Sequence, residues 1–144
     1  MQPFRQGYFD LDEGPINVLL ADDDEGFLAS LRELVDRQPE LRVVAVARNG
    51  IEAIECAEEY DPDAAVVDLH MPLLDGATAI ARLRQDHGAL CLIALTGDPD
   101  PDLHRAVRQA GADAVLEKGE MVGMLIDRLS KVRVTRSTKA QSSG

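Results

Sequence analysis

Five short apolar runs are spaced along this chain, and each is followed by a helix-length stretch whose apolar residues recur three or four apart. The runs are NVLLA (17–21), RVVAVA (42–47), AAVVD (64–68), ALCLIALT (89–96) and DAVLE (113–117). Their apolar residues are nearly continuous, which fits strands of a parallel sheet covered on both faces better than strands with one wet face. The helical stripes between them are Phe27, Leu28, Leu31, Leu34 and Val35; Ile51, Ile54 and Ala57; Ala77, Ile80, Ala81 and Leu83; Leu103, Ala106, Val107 and Ala110; and Met121, Leu125, Leu129 and Val132. Pro39, Pro62, Gly88 and Gly111 supply the stop signals after the first four. The order (βα) five times predicts an α/β fold, a doubly wound five-stranded parallel sheet with right-handed crossovers. Ligands of such sheets bind beyond the carboxyl ends of the strands, at the topological switch point. The residues that follow each apolar run are therefore the candidates for function.

Length and composition narrow the class. With 144 residues and 45% hydrophobic content, the chain makes one domain that can bury a core without disulfides or metals. No run of 18 uncharged apolar residues is present, which excludes a transmembrane helix. The first residues, MQPFRQGYFDLDEG, lack the apolar core of a signal peptide. The two cysteines, Cys56 and Cys91, read as small core residues, and a cytoplasmic location follows. The formal net charge of −11 gives no global attraction for nucleic acid or anionic membranes. From Lys131 onward there are four cations and no acid, so the first 130 residues carry −15. The tail's Ser, Thr and Gln mark it as a solvated linker or frayed end, and its cations offer at most a weak nucleic-acid contact. At the other end, Phe4, Tyr8 and Phe9 are three of only five aromatics, suited either to docking on this domain or a partner or to a disordered leader. The expected organisation is an N-terminal extension (1–15), a globular domain (16–132) and a C-terminal tail or linker (133–144).

The first run ends in Asp22-Asp23-Asp24-Glu25, the third in Asp68 and the fourth in Thr96, while Lys118 follows the fifth. On one sheet edge these residues bring together carboxylates, a hydroxyl and an ammonium. Crowded carboxylates need protons or a cation, and hard oxygen ligands with room for water favour Mg²⁺. A divalent ion beside a carboxylate nucleophile, a hydroxyl and a lysine makes a phosphoryl-transfer site.

The pieces VLLADDDE (18–25), VVDLHMPLLDG (66–76), ALTG (94–97) and AGADAVLEK (110–118) resemble the receiver domain of bacterial two-component response regulators, with Asp23 to Asp68, Asp68 to Thr96 and Thr96 to Lys118 separated by 45, 28 and 22 residues. The resemblance covers 16–132 and implies the flavodoxin-like strand order 2-1-3-4-5, a known property of that family. It implies that Asp68 accepts a phosphoryl group from a sensor histidine kinase or phosphotransfer protein. Asp22, Asp23, Asp68 and the His70 carbonyl would hold Mg²⁺, Thr96 would be the switch hydroxyl, and Lys118 would pair with a phosphoryl oxygen. Pro72 and Gly76 would shape the loop after the third strand. A domain of this kind catalyses only its own phosphorylation and dephosphorylation, so it is a signalling domain and not an enzyme. Its output would pass to a downstream protein target or a missing output domain, with no membrane, no direct nucleic-acid contact and a homodimer as one option. Segment 42–55 further resembles receivers attached to helix-turn-helix outputs. The dozen or so residues after the last stripe are too few for one, which points to a stand-alone receiver or one ending in a linker.

The chain departs from the family pattern at four places. Val115 stands where an aromatic usually follows the switch hydroxyl, Gly119 where proline often follows the lysine, Glu117 where an apolar residue ends the fifth strand, and Gly97 where a small residue, often alanine, lies beside the phosphoryl pocket. Blander readings exist for each site residue. Asp22 and Asp23 fit a helix N-cap and first turn, Asp68 a turn, Thr96 a local strand-end bond, and Lys118 a solvated surface. Asp24 and Glu25 read as cap residues, the His70 side chain as the rim of the site, and Asp61, Asp63, Asp98, Asp100 and Asp102 as turn acids. Two further functions compete. An Mg²⁺-dependent phosphohydrolase with an aspartyl-phosphate intermediate would need a second acid at His70 and a substrate cap. A pseudo-receiver would bind partners without phosphorylation.

Overall fold

Five parallel strands, β1 (Ile16–Ala21), β2 (Leu41–Ala47), β3 (Ala64–Asp68), β4 (Cys91–Thr96) and β5 (Ala114–Glu117), alternate with five helices, α1 (Glu25–Asp36), α2 (Gly50–Tyr60), α3 (Gly76–Asp86), α4 (Pro101–Ala110) and α5 (Val122–Ser130). The structure is a computed structural model and describes residues 14–119 and 122–132. The aromatic N-terminal segment, Met121 and the basic tail lie outside the described residues. The strand order is β2-β1-β3-β4-β5, all neighbours pairing parallel, as the resemblance implied. No helix among the described residues is long and apolar enough to cross a membrane.

The two-residue period of a strand divides the apolar runs between two core layers. Leu19, Ala21, Ala65, Val67, Leu92 and Ala94 pack on one face with residues of α2, α3 and α4. Ile16, Val18, Leu20, Ala64, Val66, Ile93 and Leu95 pack on the other with α1 and α5. Fully burying a leucine, isoleucine or valine contributes about 1.5–3 kcal/mol, and ten or more such side chains are completely enclosed here. Helix starts add smaller increments. Asp24, Asn49, Asp75 and Asp100 each accept a backbone N–H at the first turn of their helices, at about 1 kcal/mol per cap.

Several sequence-based expectations shift by a residue or a helix face. The fourth strand begins at Cys91, because Ala89 and Leu90 belong to a turn closed by the Leu90 amide on the His87 carbonyl at 3.1 Å. Ile51 is 46% exposed, and the seam of α2 is instead Gly50, Ala53 and Ala57. A Cβ on Gly50 would run into the Leu74 carbonyl, so α2 packs through its smallest residues, with Ile54 partly buried against the same core and Ile51 turned outward. Ala81 and Ala106 likewise face solvent, since alanine burial is too small a gain to fix a helix's rotation.

The amino edge of the sheet is tied by two aspartates that backbone amides use as acceptors. Asp63, expected as a turn acid, is 6% exposed. Its carboxylate accepts from the Asn17 amide at 2.8 Å, its own amide donates to the Asn17 carbonyl at 2.8 Å, and its carbonyl accepts from Cys91 at 3.1 Å. Asp113 Oδ2 accepts from the Leu92 amide and from Arg84 Nη2, both at 2.8 Å. The same Arg84 guanidinium donates to the carbonyls of Gly111, Gly88 and Leu90 at 3.0, 2.9 and 2.8 Å. One side chain of α3 thus closes the turn before β4 and the loop before β5.

Arg84→Met keeps the stem and removes all four donors, so it should destabilise the domain by about 2–3 kcal/mol, the scale of a lost network of charge-assisted bonds. Urea unfolding measures this; a loss below about 0.5 kcal/mol would show that water replaces the guanidinium without cost.

Candidate functional site

Asp22 and Asp68 leave the sheet from β1 and β3, the adjacent strands at which the chain's winding reverses direction. Both are enclosed, at 1% and 2% exposure, whereas Asp23 is exposed. One carboxylate oxygen from each of Asp22, Asp23 and Asp68 lies within 4.8 Å of the others. Asp22 Oδ1 accepts from the Asp24 amide at 2.9 Å. Asp22 Oδ2 and Asp68 Oδ1 are buried without a well-aligned hydrogen bond. Lys118 Nζ faces them at 3.0 and 3.5 Å. Three carboxylates are therefore held against one ammonium. At an effective dielectric of about 20, two like charges at this separation repel by roughly 3 kcal/mol, more than an ordinary cap or turn contact returns. The capping reading also fails on geometry, because the N-cap of α1 is Asp24, whose Oδ1 accepts from the Phe27 amide at 3.1 Å.

Burial and the neighbouring Asp22 charge hold the Asp68 carboxyl above the usual aspartate range, against the opposing pull of Lys118 and of the His70 amide and side chain. Burial alone would lower the Lys118 ammonium, but its contacts with Asp22 and Asp68 outweigh this and keep it raised.

Thr96 closes β4 and is fully buried. Its hydroxyl accepts from the Asp98 amide at 2.9 Å and lies 3.4 Å from His70 Nε2. The exposed His70 ring thus stands at the rim, over Thr96. The Lys118 amide donates to the Thr96 carbonyl at 2.9 Å, which continues the β4–β5 pairing into the site and fixes where the lysine emerges. Val115 is 7% exposed and belongs to the core layer against which the partly buried Leu103 and Ala110 pack. Glu117 is half-buried at the end of β5, and both Gly97 and Gly119 have open space where a side chain would be. Beyond Asp68, a Cβ on Gly76 would collide with the Asp68 carbonyl and Leu69, so this glycine lets the loop fold back against the strand end.

The loop after Thr96 links the expected turn acids Asp98, Asp100 and Asp102 into one arrangement. Asp98 Oδ1 accepts from the Asp100 amide at 3.0 Å, and Asp100 Oδ1 from the Asp102 amide at 2.9 Å. With the Asp98–Thr96 bond these make three consecutive steps from the Thr96 hydroxyl to the first turn of α4. His104 Nε2 then reaches back to the Asp98 carbonyl at 2.8 Å. The alternation of aspartate at every second residue is the signal in the sequence. The cysteines stay outside this chemistry: both are unbridged, burial and nearby glutamates raise the Cys56 thiol, and burial pushes Cys91 up to about 11.

The whole set of Asp22, Asp23, Asp68, His70, Thr96 and Lys118 is thus brought together at one edge. A family profile described as the response regulator receiver domain matches residues 18–130. The chemotaxis protein CheY of Halobacterium salinarum is 34% identical over 116 residues, covering 80% of this chain and 94% of CheY. The transcriptional regulatory protein PrrA of Mycobacterium tuberculosis is 35% identical over 130 residues, covering 88% of this chain, which spans only 53% of PrrA. Among solved structures, the response regulator domain of Thermotoga maritima CheB aligns with a TM-score of 0.74 at 25% identity, covering 85% of this chain and 97% of that one.

A raised carboxyl has a testable consequence for stability. Between the ordinary aspartate range and its raised folded value, Asp68 binds more proton folded than unfolded, so stability falls as pH rises through that window. At neutral pH without divalent ions, Asp68→Asn should therefore melt higher than the parent. The difference should shrink as pH drops through the window. Equal melting temperatures in chelator at pH 7 would show that Lys118 already neutralises the site.

Proposed function

The chain belongs to the response regulator receiver family, and on that footing we propose that it receives a phosphoryl group on Asp68 from a histidine kinase or phosphotransfer protein in the cytoplasm and signals by a change of conformation. The observation that carries this reading is the pair of buried carboxylate oxygens on Asp22 and Asp68 that lack aligned hydrogen bonds and face a single lysine. Such a cluster is stable only if a cation or proton completes it, and its all-oxygen donor set fits Mg²⁺. Asp22, Asp23 and Asp68, together with the His70 carbonyl, would hold the ion. When bound it would supply positive charge for the phosphoryl oxygens.

The protein's own groups divide the remaining work. An Asp68 carboxylate oxygen attacks phosphorus; the bond from phosphorus to the donor nitrogen breaks, and its electron pair stays on the imidazole. Lys118 shifts from the carboxylates to a phosphoryl oxygen, and the Thr96 hydroxyl donates to another. Dephosphorylation reverses the substitution with water as the nucleophile, so the domain turns over only its own acyl phosphate. The signal then passes through protein contact to a separate target or to an output domain. The near-full coverage of CheY supports the first route, and the half-length match to PrrA supports the second. The domain itself is read as 16–132, between an N-terminal extension (1–15) and a tail (133–144).

Incubation with Mg²⁺ and acetyl phosphate should give one acid-stable, base-labile adduct by mass spectrometry. Asp68→Asn should abolish it, because an amide is not a nucleophile here. An adduct that persists in this variant moves the acceptor to the Asp22/Asp23 pair.

The missing aromatic sets the form of the switch. Val115 is packed in the core and too small to swing between exposed and buried. The Thr96 hydroxyl, by contrast, is bonded directly to the loop backbone at Asp98. A beryllofluoride complex should therefore show Thr96 drawn toward Asp68, the 97–101 loop following it, and Val115 in its original rotamer. Crystal structures with and without the mimic compare the two states. A Val115 flip beside a static loop contradicts this coupling, and an unmoved Thr96 favours a pseudo-receiver.

A further inference from the structure

Lys118 has a contact that the phosphoryl-transfer reading does not use: its Nζ lies 4.4 Å from the centroid of the Phe27 ring. Phe27 sits in the first turn of α1, where its amide donates to the N-cap Asp24. The cap that starts the helix therefore also fixes where the ring leaves the backbone. The ring is half-buried and shares a groove of about 280 Å³ with Leu31, Leu34 and Lys118. The ammonium is thus held by two unlike surfaces, the carboxylates of Asp22 and Asp68 and an aromatic face.

These two surfaces respond differently to occupation of the site. A divalent ion takes the same carboxylate oxygens that hold Lys118, and a phosphoryl group then needs the ammonium elsewhere. A lysine is a point charge on a flexible four-carbon stem and loses its aim when its partners are taken. An aromatic face attracts a cation through its quadrupole, broadly and without a fixed hydrogen-bond direction. It can hold the ammonium while its carboxylate partners change. Phe27 is one of only two aromatics among the described residues, the other being Tyr60, so this ring is not replaceable by a neighbour.

We propose that Phe27 is a positioning residue for the phosphoryl site: its ring keeps the Lys118 ammonium at the strand edge when the carboxylates are engaged, and so strengthens binding of the phosphoryl group. The inference rests on the proposed function, in which Lys118 contacts a phosphoryl oxygen.

The test is a double-mutant cycle on beryllofluoride affinity at saturating Mg²⁺, followed by NMR titration because the chain has no tryptophan. Phe27→Leu keeps the apolar contact and removes the ring; it should weaken the mimic about three- to ten-fold, the size of a cation–π contact. Phe27→Tyr should restore it. In a Lys118→Ala background, Phe27→Leu should have no further effect. An unchanged affinity in Phe27→Leu, or an equal loss with and without the lysine, overturns the inference and leaves the phosphoryl reading standing. A Lys118→Ala variant that binds the mimic normally removes the lysine from the proposed mechanism, and this inference with it. A readout without any variant is the ring-current shift of the Lys118 side-chain protons. They should resonate upfield of the other lysines, and their absence from that region places the ring elsewhere and overturns the inference.

Discussion

Repulsion between Asp22 and Asp68 is the constraint around which the carboxyl edge is arranged. The backbone pairing of β1 with β3 sets the two strand ends side by side, so neither carboxylate can retreat without breaking the sheet. The core beneath offers no polar partner: Leu19, Leu20, Val66 and Val67 are fully buried. The charge must then be answered from outside the two strands. Lys118 answers it by reaching across from β5, and the Lys118–Thr96 backbone bond makes that reach reproducible. Gly76 lets the following loop close against Asp68. Each of these features has a reason only because the two acids are held together.

How much of this was legible in the sequence depended on how far apart the interacting residues lie. The five βα units, the two-sided burial of the sheet and the convergence of Asp22, Asp23, Asp68, Thr96 and Lys118 follow from periodicity and from where the apolar runs end. The strand order does not, because all five runs look alike; it came from the resemblance. Helix rotation failed at Ile51, where close packing through Gly50 and Ala53 outweighed the larger side chain. Asp63 and Arg84 were missed for a different reason. Their partners are mostly backbone groups up to 46 residues away, and no side-chain pattern announces a bond to so distant a backbone group. Phe27 was read only as part of the apolar stripe of α1, and its position over Lys118 depends on that same tertiary arrangement.

On the proposed function, the region around Thr96 is where one departure from the family pattern would be met elsewhere. With valine at position 115, the face of β5 is a packed part of the core rather than a pocket that a ring can enter or leave. The connection from Thr96 outward runs instead through backbone amides at every second residue, which donate first to the Thr96 hydroxyl and then to the carboxylates of Asp98 and Asp100. Such bonds couple a hydroxyl to main-chain position and need no empty space in the core. Gly97, within that stretch, has open space where a side chain would be.

Asp63 and Asp113 at one edge and Asp22 and Asp68 at the other are the same kind of residue put to opposite use. The first two knit neighbouring strands through their carboxylates, whereas the second two set like charges on neighbouring strand ends. The sheet is therefore graded along its strands, tied by side-chain bonds at the amino end and crowded with like charge at the carboxyl end. Amide hydrogen exchange in the metal-free domain should follow that gradient, with slow exchange near Asn17 and Leu92 and faster exchange toward Ala21 and Asp68. A ligand that neutralises the carboxyl edge would then act as a stiffener. Its effect would reach every strand that shares the sheet, including those it never touches.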